Sequence, residues 1–202
     1  MKNNAVVKVD RRTFLKTGLI ASTGLIVGAY VGCSSELLNE PNQLIEFTPN
    51  VFVSINSNGD VIIIAHRSEM GTGIRTSLPA IVADEMEADW SRVTIQQALA
   101  SKELYGDQNT DASYSMRMFF MPMRKLGASI RIMLELAASR KWNVDVHECK
   151  AAQHKVMHLP SNRSFNFGEL VEEASKLDVP DQSLIVLKSK NDFSRIGKDT
   201  SI

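Results

Sequence analysis

Apolar and polar side chains alternate through residues 50–57, NVFVSINS, and a nearly unbroken apolar run, VIIIA, follows at 61–65. Between them Asn58-Gly59-Asp60 supplies residue types that tolerate a tight reversal, so the pattern predicts a β-hairpin. The period then changes. Over 76–88 apolar residues recur at Leu78, Ile81, Val82 and Met86, the spacing of one helical face, which leaves Asp84, Glu85 and Glu87 on an acidic far face. Pro79 stands early enough to be tolerated in or near the first turn. Residues 92–98, RVTIQQA, return to strand character, and the order strand, glycine turn, helix, strand predicts a β-α-β unit.

A polar loop at 101–111 precedes a long helix over 116–142, with Pro122 in its opening third and Asp111, Ser113 or Ser115 as its cap. Leu126, Ile130, Met133, Leu134 and Ala137 place apolar groups around much of that helix, which predicts burial. Strands are expected at 144–149 and 155–159, with a turn at Ser161-Asn162-Arg163. Asn166 caps a further helix over 168–177, with Glu169 placed as the acid of a capping box. Pro180 follows, then a last short strand at 183–188. Residues 191–202, NDFSRIGKDTSI, form a polar tail without a closing element and read as an apparent truncation, a connection to more protein. The fold class is therefore α+β: a mixed β-sheet with β-α-β units and packed helices, occupying 50–190 as a partial domain.

The N-terminus has another character. Arg11-Arg12 precede a moderately apolar span, TGLIASTGLIVGAYVG at 17–32, and then Cys33. This is the pattern of an export signal, and the arginine pair points to the twin-arginine route, which carries folded proteins to the periplasm. The span is short for a bilayer crossing and holds Gly18, Gly24, Gly28 and Gly32, which argues against a permanent anchor. Cys33 is similar to a lipid-attachment cysteine, with Tyr30 where Leu or Val is usual, so membrane contact is expected through the signal or a lipid anchor. Residues 1–33 are thus read as the signal and 34–49 as a linker. A chain cut at Cys33 keeps Cys149 as its one other cysteine, so no internal disulfide holds it.

Charge narrows the function classes. Residues 1–32 carry five basic side chains against Asp10, a net charge of +4, so the zero balance of the 202 residues leaves the remainder at −4. With no basic stripe and no aromatic platform interleaved with arginine, a nucleic-acid surface is excluded.

Two loops carry candidate chemistry. In Glu69-Met70-Gly71-Thr72-Gly73 the glycines allow positive φ and close approach of another group, and the turn gathers backbone N–H groups where an anion or a cofactor edge could lie. The third glycine of a dinucleotide fingerprint is missing, and Glu69 is suited to holding the turn's own amides. The second loop, QNTDASYS at 108–115, offers the hydroxyls of Thr110, Ser113 and Ser115 at a helix start. Both loops precede helices, so both could meet over one phosphate-rich or pterin-like ligand. His66, His147, His154 and His158 lack the spacing of a metal site, and Cys149 has no obvious base. No catalytic residue and no metal ligand is assigned.

Taken together, HRSEMGTGIRTSLPAIVADEM (66–86), ADWSRVTI (88–95), QNTDASYSMR (108–117), PMRKLGASIRIML (122–134) and the twin-arginine start resemble one family. It is the molybdopterin-binding large subunit of the xanthine oxidase class, specifically the isoquinoline 1-oxidoreductase beta-subunit type, and the resemblance runs from Arg11 to Gly197. It implies an incomplete molybdopterin-binding domain of the aldehyde oxidase/xanthine dehydrogenase type. The implied activity is a periplasmic molybdenum hydroxylase that oxidises an N-heterocyclic aromatic or an aldehyde with water-derived oxygen. The implied cofactor is molybdopterin in its cytosine dinucleotide form, held by its dithiolene and not by protein ligands. Electrons are implied to leave through a small subunit with two [2Fe-2S] clusters. By the same resemblance Met70, Gly71, Thr72 and Gly73 lie against the pterin, and Ala112, Ser113 and Ser115 match a second cofactor-binding loop. Thr72 departs from the family's Gln, which shortens or removes an amide contact. The family's catalytic Glu lies beyond this chain, so activity would need a second chain that completes the large subunit. The alternative is an inactive exported remnant or binding module that keeps the fold without the cofactor.

Overall fold

The structure, a computed structural model, describes residues 24–31 and 47–198, with 24–31 and 47–51 described by their backbone. Strands β1 (Gly24–Val31), β2 (Phe47–Asn56) and β3 (Val61–Ala65) pair antiparallel in that order, and β4 (Val93–Gln97) adds parallel to β3. Helix α1 (Ile74–Glu85) forms the crossover, so the expected hairpin and β-α-β unit are both present. A short helix, α2 (Lys102–Tyr105), leads to the long α3 (Tyr114–Trp142). A second sheet, β5 (Cys149–Ala152), β6 (Lys155–His158) and β7 (Arg163–Asn166), is wholly antiparallel and is followed by α4 (Phe167–Ala174). This is an α+β arrangement with one mixed sheet.

The core lies between the first sheet, the helices α1 and α4 that pack on it, and α3, which packs on both helices. Phe52, Ile55, Val61 and Ile63 of the sheet meet Leu78, Ile81 and Val82 of α1 and Met123, Leu126, Ile130, Met133 and Leu134 of α3, all buried. The two helices touch closely at Gly127, where a Cβ would stand 2.5 Å from the Val82 carbonyl oxygen. Only glycine permits that approach. His154 joins the sheets: its Nε2 contacts the Gly59 carbonyl at 2.9 Å, and its Nδ1 accepts the Asp89 N–H at 3.1 Å, so the proton sits on Nε2. The expected capping box opens α4, with the Asn166 N–H donating to the Glu169 carboxylate at 2.8 Å.

Several expectations are corrected. Asp84 and Glu85 do not form a solvated far face; both are buried, because α3 and the C-terminal segment fold over them. Glu85 receives Arg124 Nε at 2.6 Å and the Lys188 N–H at 3.1 Å, with Arg131 Nη1 3.4 Å away. Asp84 receives Lys188 Nζ at 2.8 Å and the N–H groups of Ser194, Arg195 and Ile196. Residues 183–188 form no strand: Arg131 and Arg124 donate to the Val186 and Lys188 carbonyls, so side chains take the groups a sheet ladder would use. Within the expected polar tail, Ser194, Arg195 and Ile196 are likewise bonded to Asp84.

Residues 144–149 make a 3-10 turn, Val146–Glu148, under an Asp145 cap, and the strand begins only at Cys149. Helix α1 starts two residues earlier than its apolar period indicates and ends at Glu85, which leaves Pro79 in its second turn. Strand β2 starts at Phe47, inside the expected linker; residues 34–46 of that linker lie outside the described residues. Of the export-signal segment, residues 1–23, 32 and 33 lie outside the described residues, and 24–31 is strand β1. No helix among the described residues is long and apolar enough to cross a membrane.

Candidate functional site

Strand β3 ends at Ala65 and its next two residues, His66 and Arg67, turn inward, each 1% exposed. The chain then emerges in the turn Ser68–Gly73 and enters α1. Gly71 and Gly73 have φ of 84° and 79°, which side chains rarely adopt. Glu69 closes this turn from within: its carboxylate accepts the N–H of Thr72 at 2.8 Å, Gly73 at 3.1 Å and Arg75 at 2.9 Å. Those bonds, led by Arg75 and Gly73, hold its carboxyl below the usual range. The gathered amides therefore serve an internal anion, and the surface offered outward is Met70, 68% exposed, beside Gly71, whose Cα faces open space.

The second loop lies directly against the first. Gln108 O accepts the Ser68 N–H at 3.1 Å and the Ser68 hydroxyl at 2.9 Å, and the Thr110 hydroxyl donates to Ser68 O at 2.7 Å. Below them Arg67 Nε donates to Ser115 Oγ at 3.0 Å. An open groove of about 370 Å³ runs beside the junction, between Glu69, Arg75, Gln97 and Gln108. Gln97 is fixed there by donating to the carbonyls of Ala65 and Arg67.

The residues singled out in the sequence therefore fall on two adjoining loops. Met70, Gly71, Thr72 and Gly73 form the rim of one; Ala112, Ser113 and Ser115 belong to the other. Ala112 and Ser113 both take left-handed backbone, at φ 43° and 56°, a costly pairing for residues with a Cβ. Ser113 ends as the N-cap of α3 with its side chain making no cap bond, while Ser115 is buried under Arg67. Neither Asp111 nor Ser115 caps α3 through its side chain; the Asp111 carbonyl instead takes the Tyr114 N–H at 2.8 Å.

Two residues hold places at the site that the sequence reading did not give them. Arg67 gives Nη1 to the Asp107 carbonyl and lies 3.4 Å from that carboxylate, while its guanidinium stacks 4.9 Å from the Phe119 ring centroid; its Nη2 has no hydrogen-bond partner. His66, packed against the rings of Phe52 and Phe119, also leaves Nε2 without one, and burial, reinforced by the Arg67 charge, lowers its pKa to about 4. The signal was the position, the two residues after an apolar strand and before a glycine turn; arginine's usual surface habit hid it.

The remaining histidines do other work. His158 bridges Ser161 Oγ at 2.6 Å and Glu148 Oε2 at 3.0 Å, fixing the β6–β7 turn, and no metal-binding group of three His, Cys, Asp or Glu occurs among the described residues. Cys149 is buried, with its thiol pushed up by burial and by Glu135, as suits a core residue.

The chain is 33% identical over 171 residues to isoquinoline 1-oxidoreductase subunit beta of Brevundimonas diminuta, covering 82% of this chain and 22% of that protein. It is 32% identical over 167 residues to the membrane-bound aldehyde dehydrogenase [pyrroloquinoline-quinone] of Gluconacetobacter polyoxogenes, covering 81% of this chain and 21% of that one. The chain thus spans about a fifth of the length of these curated relatives. Among solved structures, Cu,Mo-CO dehydrogenase shares the fold with a TM-score of 0.51 at 17% identity, over 73% of this chain and 18% of that one. The family profile described as molybdopterin cofactor-binding domain matches residues 8–194, and the chain belongs to that family.

Proposed function

We propose that this chain forms one part of a cofactor cage in a molybdenum hydroxylase large subunit, and that it acts only with the remainder of such a subunit. The observation that carries this is the hydrogen-bonded junction of the two loops, which places Met70–Gly73 and Ala112–Ser115 side by side. The residues present fit a molybdopterin: Gly71 exposes backbone to open space, and buried Arg67 keeps an unused donor beside Ser115. Met70 and Gly71 would lie against one edge of the group with the Thr72 hydroxyl beside them, and Ser113 and Ser115 would meet another edge through their hydroxyls. When bound, the cofactor supplies the redox chemistry of hydroxylation, with water as the oxygen source.

This chain's own contribution is positioning. Glu69 locks the turn so that Gly71 meets its ligand without reorganising. Arg67 fixes the Ser115 hydroxyl through Nε and the Asp107 carbonyl through Nη1. Substrates are an N-heterocyclic aromatic or an aldehyde, the cofactor carries a cytosine dinucleotide, and electrons pass to a subunit with two [2Fe-2S] clusters. The test is co-expression with the remaining large-subunit polypeptide and the iron–sulfur subunit, followed by elemental analysis. One molybdenum per complex is expected. A stable but metal-free complex would reject this reading in favour of an inactive binding module, which Thr72 in place of the family's Gln favours.

Twin-arginine export to the periplasm, with lipidation at Cys33, belongs to the same proposal and rests on Arg11-Arg12 and the apolar span before Cys33. Cleavage there would remove β1 from the sheet, so a processed molecule and a four-stranded sheet exclude one another. Intact-mass analysis of membrane and soluble fractions decides: a lipid-bearing chain beginning at Cys33 is expected, and a full-length chain in the cytoplasm would refute export.

A further inference from the structure

We infer that Ser161, His158 and Glu148 form a nucleophilic site on the turn between β6 and β7, one that takes a small acyl group from an activated carboxylic ester or thioester onto the Ser161 hydroxyl. The site lies on the second sheet and shares no residue with the two loops of the cofactor reading, so it stands or falls independently of that reading.

A serine hydroxyl is a weak nucleophile until a base takes its proton, and the base works best when a third group holds it in one tautomer and orientation. All three parts are in contact here. Ser161 Oγ lies 2.6 Å from His158 Nδ1, and His158 Nε2 lies 3.0 Å from Glu148 Oε2. A carboxylate only accepts, so Glu148 holds the proton of the neutral ring on Nε2 and leaves the Nδ1 lone pair to receive the Ser161 proton. The two ring nitrogens are exchanged relative to a serine-protease triad, but the relay is the same: acceptor toward the hydroxyl, donor toward the carboxylate.

Backbone bonds close the same turn. The Asn162 N–H donates to the His158 carbonyl at 2.8 Å, and the Leu159 N–H donates to the Glu148 carbonyl at 2.8 Å, so the side-chain relay is additional to what the hairpin requires. Access also fits. Ser161 is exposed, whereas the His158 side chain is only 8% exposed, with the Trp142 ring centroid 5.8 Å from its own. An ester thus reaches the hydroxyl from solvent, and the proton passes inward to a shielded base. Asn162 takes left-handed backbone, φ 54°, and turns the chain immediately after Ser161. The Ser161 N–H donates to no described group, which leaves it for an oxyanion forming at its own side chain. Solvent supplies the other hydrogen bonds of that oxyanion, so the site suits esters with good leaving groups rather than amides.

The chemistry needs no oxidant and no cofactor. Ser161 Oγ attacks the carbonyl carbon while its proton passes to His158 Nδ1. The oxyanion collapses, the bond to the leaving oxygen or sulfur breaks, and His158 returns the proton to that atom. Acyl-Ser161 and an alcohol or thiol result. A water then attacks the acyl carbon, giving one proton to His158, which passes it to Ser161 Oγ. One ester and one water become one carboxylic acid and one alcohol.

The experiment exposes the full chain to p-nitrophenyl acetate, follows p-nitrophenolate release, and maps acetylated peptides by mass spectrometry. A burst stoichiometric with the chain is expected, with Ser161 acetylated faster than any other serine or threonine and the burst blocked by a fluorophosphonate. Ser161→Ala abolishes the burst, and His158→Gln slows it on the order of a hundredfold. Glu148→Gln slows it only about tenfold, because water shares the charge of a carboxylate that is 45% exposed. Glu148 is a positioning residue, so Glu148→Asp, which keeps the charge, retains more of the rate than Glu148→Gln at equal melting temperature. If His158→Gln does not fold, wild type in urea replaces it as the control, and the preference for Ser161 disappears there. Ser161 acetylated no faster than other hydroxyls in the native chain, a preference that survives unfolding, or a rate unchanged in His158→Gln and Glu148→Gln alike overturns the site.

Discussion

Replacing Asp84 with Asn tests whether the C-terminal segment is held by a buried charge. The Asp84 carboxylate accepts the N–H of Ser194 at 3.2 Å, Arg195 at 2.9 Å and Ile196 at 2.7 Å, and Lys188 Nζ at 2.8 Å. Bonds to a charged group contribute about 1.5–3 kcal/mol each, so four would total about 6–12 kcal/mol. That sum overshoots, because the bonds share one carboxylate and its desolvation opposes them. Asparagine keeps one oxygen and turns an NH2 toward donors, most directly those of Arg195 and Ile196, which both use Oδ2. Two bonds are lost, and Lys188 falls back on Glu87, 2.7 Å away. The expected cost is about 3–4 kcal/mol, or a melting temperature lower by about 6–16 °C for a chain of this size.

Urea unfolding gives the stability, and Trp90 fluorescence gives the local state, because Arg195 stacks 4.2 Å from that ring's centroid. A loss below about 1 kcal/mol with Trp90 emission unchanged would refute the reasoning. The pH dependence follows with its sign. Burial alone would raise the Asp84 pKa, but Lys188 and the three backbone donors outweigh it and the value is lowered from 3.8. Its stabilisation is present above the unfolded value and is lost as pH falls through the lower folded one. Asp84→Asn should lack that acid limb.

Gly127→Ala gains helix propensity of about 1 kcal/mol but pushes a methyl to 2.5 Å from Val82 O and 2.7 Å from Glu85 Cβ, so calorimetry should show net destabilisation of about 1–3 kcal/mol; an unchanged or higher melting temperature would contradict the close α1–α3 contact. His66, held near 4 against 6.5 when unfolded, binds a proton in the unfolded state first, so stability falls as pH drops through that window, by about 2 kcal/mol at pH 5. Urea midpoints at pH 7 and 5 should separate for the wild type and by less in His66→Gln, where buried His154, its pKa also lowered by burial, still contributes; equal separation in both would assign the effect elsewhere. Glu69→Gln should speed amide exchange at Thr72, Gly73 and Arg75 while leaving α3 protected, and unchanged exchange at those three amides would show that Glu69 does not hold the turn.

Local pattern determined much of this protein. Strand alternation and the Asn58-Gly59-Asp60 turn specified the β2–β3 hairpin, the helical period found α1 and α3, and Asn166 with Glu169 located the start of α4, because these are interactions between residues close in the chain. The two candidate loops were legible for the same reason: glycines before a helix and hydroxyls before a helix are local signals. Tertiary structure alone decided what those groups do. Glu69 filling its own turn follows from local geometry, but Arg67 reaching Ser115, 48 residues away, does not. Asp84 and Glu85 read as a solvent face because their partners Arg124, Arg131 and Lys188 lie far along the chain, and Lys188 is 104 residues from Asp84. For the same reason residues 183–188 looked like a strand: apolar alternation describes which side chains avoid water, whereas the charges that took their backbone groups became neighbours only when the chain had folded.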